Sequence, residues 1–283
     1  NFFYLLLKLS LTPNFCMFYF LLYLCNNKII NIYGDDFMNT EIEKLIQIFK
    51  DSNNIVFFGG AGVSTESGIP DFRSSNGLFN EKLNITFTPE QLVSHTFFIR
   101  YPKEFYNFYK SKLIYPNAKP NEAHIALAKL EEMGKLKAIV TQNIDGLHQS
   151  AGSKNVFELH GSVLRNYCIS CHEFYDEKFI LESDGIPICS KCGGTVKPDV
   201  VLYEEGLDES TIQGAISAIS KADTLIIGGT SLVVYPAAGL INYFKGKNLI
   251  LINKSSTTAD NKANLVIHDS IGKVLGKAVN FFK

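Results

Sequence analysis

The sequence predicts an α/β fold: a doubly wound, Rossmann-like parallel sheet with a smaller zinc-ribbon and helical module inserted into it. Three observations lead there. Short apolar runs rich in β-branched residues recur at Ile55–Phe58, Leu136–Thr141, Val156–Leu159, Thr224–Ile227, Leu249–Ile252 and Leu265–Ile267. Such runs read as strands covered on both faces, as in a parallel sheet. Helical patterns stand between many of them, and strand–helix alternation builds a parallel sheet through crossover connections. The first run also ends in Gly59-Gly60-Ala61-Gly62. A strand ending in glycines is where such a sheet brings its backbone close to a pyrophosphate.

Residues 1–37 stand apart, rich in Phe, Leu, Tyr, Ile and Asn. Their one unbroken apolar run, Phe15–Cys25, is eleven residues long, short of the ~20 that span a bilayer. Met38 opens a more ordinary beginning. Thr40 is the expected N-cap of a helix with Ile42, Leu45, Ile46, Ile48 and Phe49 on its apolar face. Residues 1–37 are therefore read as upstream sequence, dispensable for activity, with the biological start at Met38. A targeting segment and a structural extension are the other readings.

After the first strand, Pro70-Asp71-Phe72-Arg73 places a carboxylate, a ring and a guanidinium together on a loop. Residues 74–120 are aromatic-rich, and Phe97–Leu113 reads as helical. Asn121–Gly134 is a clearer helix, with Ala123, Ile125, Ala126, Leu127, Leu130 and Met133 apolar. The second strand ends in Gln142-Asn143-Ile144-Asp145, and the third in His160-Gly161-Ser162. Polar groups at carboxyl ends of strands mark the ligand side of an open sheet. A lone histidine there is more often structural. Asp208–Ala222 and Tyr235–Lys245 read as further helices, and Gly228-Gly229-Thr230-Ser231 as a strand-to-helix turn. Asn253 closes another strand. The core is expected over about 38–73, 121–165 and 198–283, and the module over 74–120 and 166–197.

Cys168-x-x-Cys171 and Cys189-x-x-Cys192 are separated by seventeen residues, a zinc-ribbon spacing. Four thiolates close a tetrahedron and leave no open position, so the expected Zn²⁺, one per chain, is structural. Buried or redox-active cysteine pairs are the alternative. Cys16 and Cys25 lie in the N-terminal stretch, and nothing resembles a secreted disulfide framework. This favours a reducing, cytoplasmic setting. With 27 basic and 28 acidic residues the net charge is −1. No positive field favours nucleic acid or a membrane surface, and a monomer is expected.

Taken together, GAGVSTESGIPDFR from Gly60, TQNIDGLH from Thr141, ELHGS from Glu158, the four cysteines and GTSLVVYPA from Gly229 resemble the sirtuins. These are NAD-dependent protein-lysine deacylases, here of bacterial type. The motifs stand in the family's order, and the likeness runs from about Met38 to the C-terminus. It implies that His160 is the general base and that Asn143 and Asp145 face the nicotinamide end. It further implies an NAD site at Gly60, Ala61, Gly62, Thr65, Phe72, Arg73, Gln142, Ile144, Gly229, Thr230, Ser231, Asn253 and Ile271, with Asp71 and Arg73 on a mobile loop. Phe72, Val201, Leu202, Tyr203 and Val233 would take the acylated peptide, added as a strand between two extended segments. NAD would be a consumed co-substrate, and the products lysine, nicotinamide and 2′-O-acetyl-ADP-ribose. Mono-ADP-ribosyl transfer and removal of longer acyl groups are the alternatives within this chemistry. A hydride-transferring dehydrogenase or a zinc-ribbon binding protein would leave most of the motifs unexplained.

Two departures bear on specificity. The family usually has Phe-Gly-Glu where this chain has Tyr203-Glu204-Glu205. Members that remove succinyl or malonyl groups carry Tyr-x-x-Arg where this chain has Tyr106 and Tyr109. The resemblance therefore implies a preference for short neutral acyl groups.

Overall fold

The computed structural model describes residues 40–74, 77–78 and 87–282, so the expectations for 1–37 lie outside it. By its contacts the chain divides into two units, 1–44 and 45–283. Residues 40–51 form helix α1. Thr40 is already helical, so it is not the N-cap of α1.

In chain order the strands are β1 (Ile55–Gly59), β2 (Leu136–Thr141), β3 (Val156–Glu158), β4 (Gly161–Cys168), β5 (Phe174–Tyr175), β6 (Val196–Val200), β7 (Thr224–Gly228), β8 (Asn248–Ile252) and β9 (Leu265–Ile267). The six predicted strands form one parallel sheet among the described residues, in the order β3-β2-β1-β7-β8-β9. β1 and β7 are buried at every position, which is why they read as unbroken apolar runs. Side chains alternate between faces along each strand. Val56, Phe58, Val140, Leu225 and Ile227 share one face with Ala215 and Ile219 of helix α5 (Glu209–Lys221). Phe57 points the other way, beside Ile271 of helix α6 (Ile271–Phe281). Helix α4 (Glu122–Glu132) packs against α6.

The chain winds outward from β1 in one direction through β2 and β3, and in the other through β7, β8 and β9. The strand order thus reverses between β1 and β7. That reversal leaves a crevice at the carboxyl ends of the two strands, where open α/β sheets take their ligands.

The described part of the inserted region holds more regular structure than its sequence suggests. Phe97–Leu113 is expected as one helical stretch, but two helices form, α2 (His95–Arg100) and α3 (Pro102–Lys112). They break at Tyr101, whose backbone leaves the helical region at φ −134° and ψ 55°, because a residue before proline disfavours it. β5, β4 and β6 make a three-stranded antiparallel sheet that straddles the boundaries expected near 165 and 198. Phe98, Phe105, Tyr106, Tyr109, Cys168 and Val196 share one core beneath it. The helix expected over Tyr235–Lys245 is a 3-10 turn, Ala237–Tyr243. Pro236 and Gly239 weaken an α-helix there.

Candidate active site

The turns after β1 and β7 lie in contact. Gly62 N–H donates to Gly229 O at 2.8 Å. A Cβ on Gly62 would stand 2.8 Å from Gly229 Cα, and one on Gly60 would stand 2.9 Å from Thr230 Cβ. Gly229 adds a positive φ of 59°, which favours glycine. These glycines let two strand ends close into a continuous floor. Glu66, from the turn after β1, accepts from Gly272 N–H at 2.7 Å and so caps α6.

Above the floor opens a cleft of about 1060 Å³. Every residue assigned from sequence to the NAD site lines it, Ile271 included, as do Val201, Leu202 and Tyr203. Val233 does not; Val234 and Tyr235 line it instead. Leu232, at φ 56°, breaks the extended path, and Val233 is left exposed. Glycine turns that admit close approach, hydroxyls at Thr65 and Ser231 and the amide of Asn253 are a donor set that fits a dinucleotide.

The amide cluster after β2 is held by a residue that the sequence reading passed over. Ser64 Oγ donates to Asp145 Oδ2 at 2.6 Å and accepts from Asn143 Nδ2 at 3.0 Å. The other Asp145 oxygen accepts from Leu147 N–H at 2.9 Å. Buried Asn143 therefore has its amide orientation fixed. Gln142 Nε2 donates to Thr230 Oγ1 at 3.1 Å, tying the ends of β2 and β7 together. Ser64 lies inside the GAGVS stretch, so its signal was a hydroxyl beside the glycines.

His160 stands between β3 and β4, directly before Gly161. Its Nδ1 lies 2.9 Å from the Gln142 carbonyl oxygen. A carbonyl only accepts, so Nδ1 carries the proton and Nε2 keeps its lone pair. Burial holds the imidazole pKa below its ordinary value, and the hydrogen bond to Gln142 offsets only part of this. His160 is thus a neutral base near pH 7. Arg165 braces the segment: its Nη1 meets Glu158 at 2.7 Å, just before the histidine, and its Nε meets Asp199 at 2.8 Å.

The wall opposite is anchored to the same histidine. Val201 N–H donates to His160 O at 3.0 Å. Three residues on, Glu204 adopts a left-handed φ of 77°, a conformation that costs a non-glycine residue of order 1 kcal/mol. Its carboxylate accepts from Thr96 N–H in the first turn of α2 at 2.8 Å. Glu205 meets Lys197 at 3.1 Å and His95 at 2.9 Å.

Behind the amide cluster, His124 and His148 meet edge to face with ring centroids 4.8 Å apart, and both are buried. Burial pushes their pKa values down to about 4 and about 3. Below the ordinary value of 6.5 the unfolded chain takes up protons that the folded pair refuses. Stability should therefore be intact above pH 6.5 and fall by a few kcal/mol as pH drops toward 4. Urea unfolding at pH 7 and pH 5 measures it, and equal stabilities would show that the pair accepts protons while folded.

The four cysteines converge. All four Sγ atoms lie within 4.8 Å of one another, Cys168–Cys192 at 3.4 Å and Cys171–Cys189 at 3.6 Å. Zn–S bonds of about 2.3 Å give sulfur–sulfur edges of about 3.8 Å. The set fits a structural zinc ion.

The Sir2 family pattern matches residues 60–236. The chain belongs to the Sir2 family. An NAD-dependent protein deacetylase of Clostridium perfringens is 83% identical over 244 residues, which cover 86% of this chain and all of that protein. Another, of Clostridium acetobutylicum, is 66% identical, covering 83% of this sirtuin and 96% of the relative. A solved Sir2 complex with a deacetylated p53 peptide and 3′-O-acetyl-ADP-ribose superposes with TM-score 0.77 at 39% identity, covering 84% of this chain and 96% of that one. In this sirtuin Lys112, Leu113, Tyr115 and Glu177 also line the cleft. They come from the inserted region, where aromatic content gave no sign of which residues face a ligand.

Proposed function

We propose that this sirtuin is an NAD-dependent protein-lysine deacetylase acting on acetylated proteins or peptides. One observation carries it. His160, with its tautomer set by Gln142, lines the same cleft as the glycine floor and the wall that begins at Val201. When bound, NAD supplies an electrophilic ribose carbon from which nicotinamide leaves. The floor from Gly60 to Gly62 and from Gly229 to Ser231 would hold the cofactor, with Asn253 and Ile271 at its sides. Asn143 and Asp145, fixed through Ser64, would orient the reacting end. Phe72 and Val201 would flank the acyl-lysine chain and exclude water. Nε2 of His160 would take the proton from the ribose hydroxyl.

The catalytic unit is proposed as residues 38–283, working as a monomer in the cytoplasm. Cysteines kept as thiolates for a metal agree with a reducing compartment. No helix among the described residues is long and apolar enough to cross a membrane.

Nicotinamide release should require an acetyl-peptide and match the lysine formed. Release without peptide, with ADP-ribose transferred to protein, would replace the proposal by mono-ADP-ribosyl transfer.

Acetyl groups should be removed with a kcat/KM well above that for succinyl. Tyr106 and Tyr109 are buried, and Tyr106 Oη donates to Val196 O at 2.5 Å. Burial first, and the nearby acids Glu177 and Asp199, push the Tyr109 pKa up. Lys110 turns away to the carbonyls of Ser183 and Gly185. A buried carboxylate without a cation is costly. Matched peptides decide it, and equal or faster desuccinylation would show that Lys112, which lines the cleft, or another cation serves the acyl carboxylate.

A further inference from the structure

Tyr203 carries a hydroxyl that an apolar wall does not need. Its backbone is pinned from one side, with N–H donating to Val93 O at 3.0 Å and C=O accepting from His95 N–H at 2.9 Å. From that anchor the side chain reaches the segment after Pro70. Its Oη accepts from Arg73 Nη2 at 3.2 Å. Arg73 itself sits in a tight turn. Asp71 Oδ1 accepts from the N–H groups of Arg73 at 3.0 Å and Ser74 at 2.7 Å. Leu78 N–H returns to the Asp71 carbonyl at 2.8 Å. Gly77 packs so closely that a Cβ there would stand 2.7 Å from Arg73 N. The turn is thus braced within itself, and the Tyr203–Arg73 bond ties it to the wall. Both side chains line the cleft.

We infer that the Tyr203 hydroxyl positions the Arg73 guanidinium for NAD, so that the wall taking the acetyl-lysine peptide also sets affinity for the cofactor. This rests on the NAD-dependent reading above and deepens it. A guanidinium has five N–H donors, so it can serve an anionic ligand while bonded to a phenol oxygen. A long arginine side chain loses rotamer freedom when a ligand orders it. Fixing it beforehand lowers that cost and strengthens binding.

Tyr203→Phe keeps the ring, and hence the wall, and removes the acceptor. The test is calorimetric binding of NAD to the full chain without peptide. Kd should weaken about three- to tenfold, the scale of one lost hydrogen bond. KM for NAD should rise with it. In an Arg73→Met background, Tyr203→Phe should add little, because the hydroxyl acts through Arg73. An unchanged or tighter Kd in Tyr203→Phe would overturn the inference, and so would a full additive loss in the Arg73→Met background. Calorimetry needs no turnover. A chain that binds NAD but fails to deacetylate therefore counts against the reaction and still decides the role of Tyr203.

Discussion

His160→Ala is expected to lower turnover by ~10²-fold or more, the scale of a lost general base, while NAD still binds. The expectation comes from three physical facts about one ring. The Gln142 carbonyl fixes the proton on Nδ1, so Nε2 is free to accept. Burial keeps the ring neutral, so a proton need not first be lost at pH 7. The bond from Val201 N–H to His160 O holds the histidine in register with the wall that would carry the acyl group. The same burial sets the pH dependence. Because the folded pKa is depressed, the acid limb of kcat/KM should lie at lower pH than an ordinary histidine would give. Turnover, NAD affinity and a melting curve on one preparation check the substitution. A folded His160→Ala protein with near-normal turnover would remove His160 from the chemistry.

The sheet was legible because burial on both faces leaves a one-dimensional signature. β1 and β7 are apolar at every position except their terminal glycines and Thr224, and each emerges within a residue of its expected limits. The antiparallel sheet left no such trace. β4 carries Arg165 and Asn166 at its centre, and these are polar for tertiary reasons. Arg165 bridges Glu158 and Asp199, and Asn166 donates to the carbonyls of Val163 and Tyr175. All of these partners but Val163 lie on other elements, so no strand signal stood in the sequence over β4. Site residues at strand ends were legible from motif and position together. Ser64, the His124–His148 pair and the Tyr203–Arg73 tie were not, since each links segments distant in sequence through side chains that are unremarkable singly. Val233 shows the opposite limit. An extended run suggested that it faces the cleft, and the left-handed turn at Leu232 moved that role to Val234.

Removing the zinc should cost stability and activity together, through the connectivity of two strands. β4 begins at Gly161, next to His160, and ends at the ligand Cys168. β6 begins four residues after Cys192 and ends at Val200, next to the wall residue Val201. Each strand thus has one end at the cysteine cluster and the other at the cleft. Without the ion, four thiolates within 4.8 Å of one another repel, and the ends they hold together separate. Structural zinc contributes ~10–16 kcal/mol to the folding of small zinc-finger peptides. Here an aromatic core shares the task, so a quarter of that, ~3 kcal/mol, is the expected loss for Cys168→Ala. A chain of this size should then melt about 6–12 °C lower. Metal analysis should find one zinc per chain in the unsubstituted protein and little in the variant. With all four positions taken by sulfur, the ion has no site for water or substrate. Exchange of zinc for the thiophilic Cd²⁺ should accordingly leave kcat near its original value. A variant that lost zinc yet kept its melting temperature and turnover would show that the module stands without the metal, and a rate that changed with the ion's identity would make it part of the chemistry.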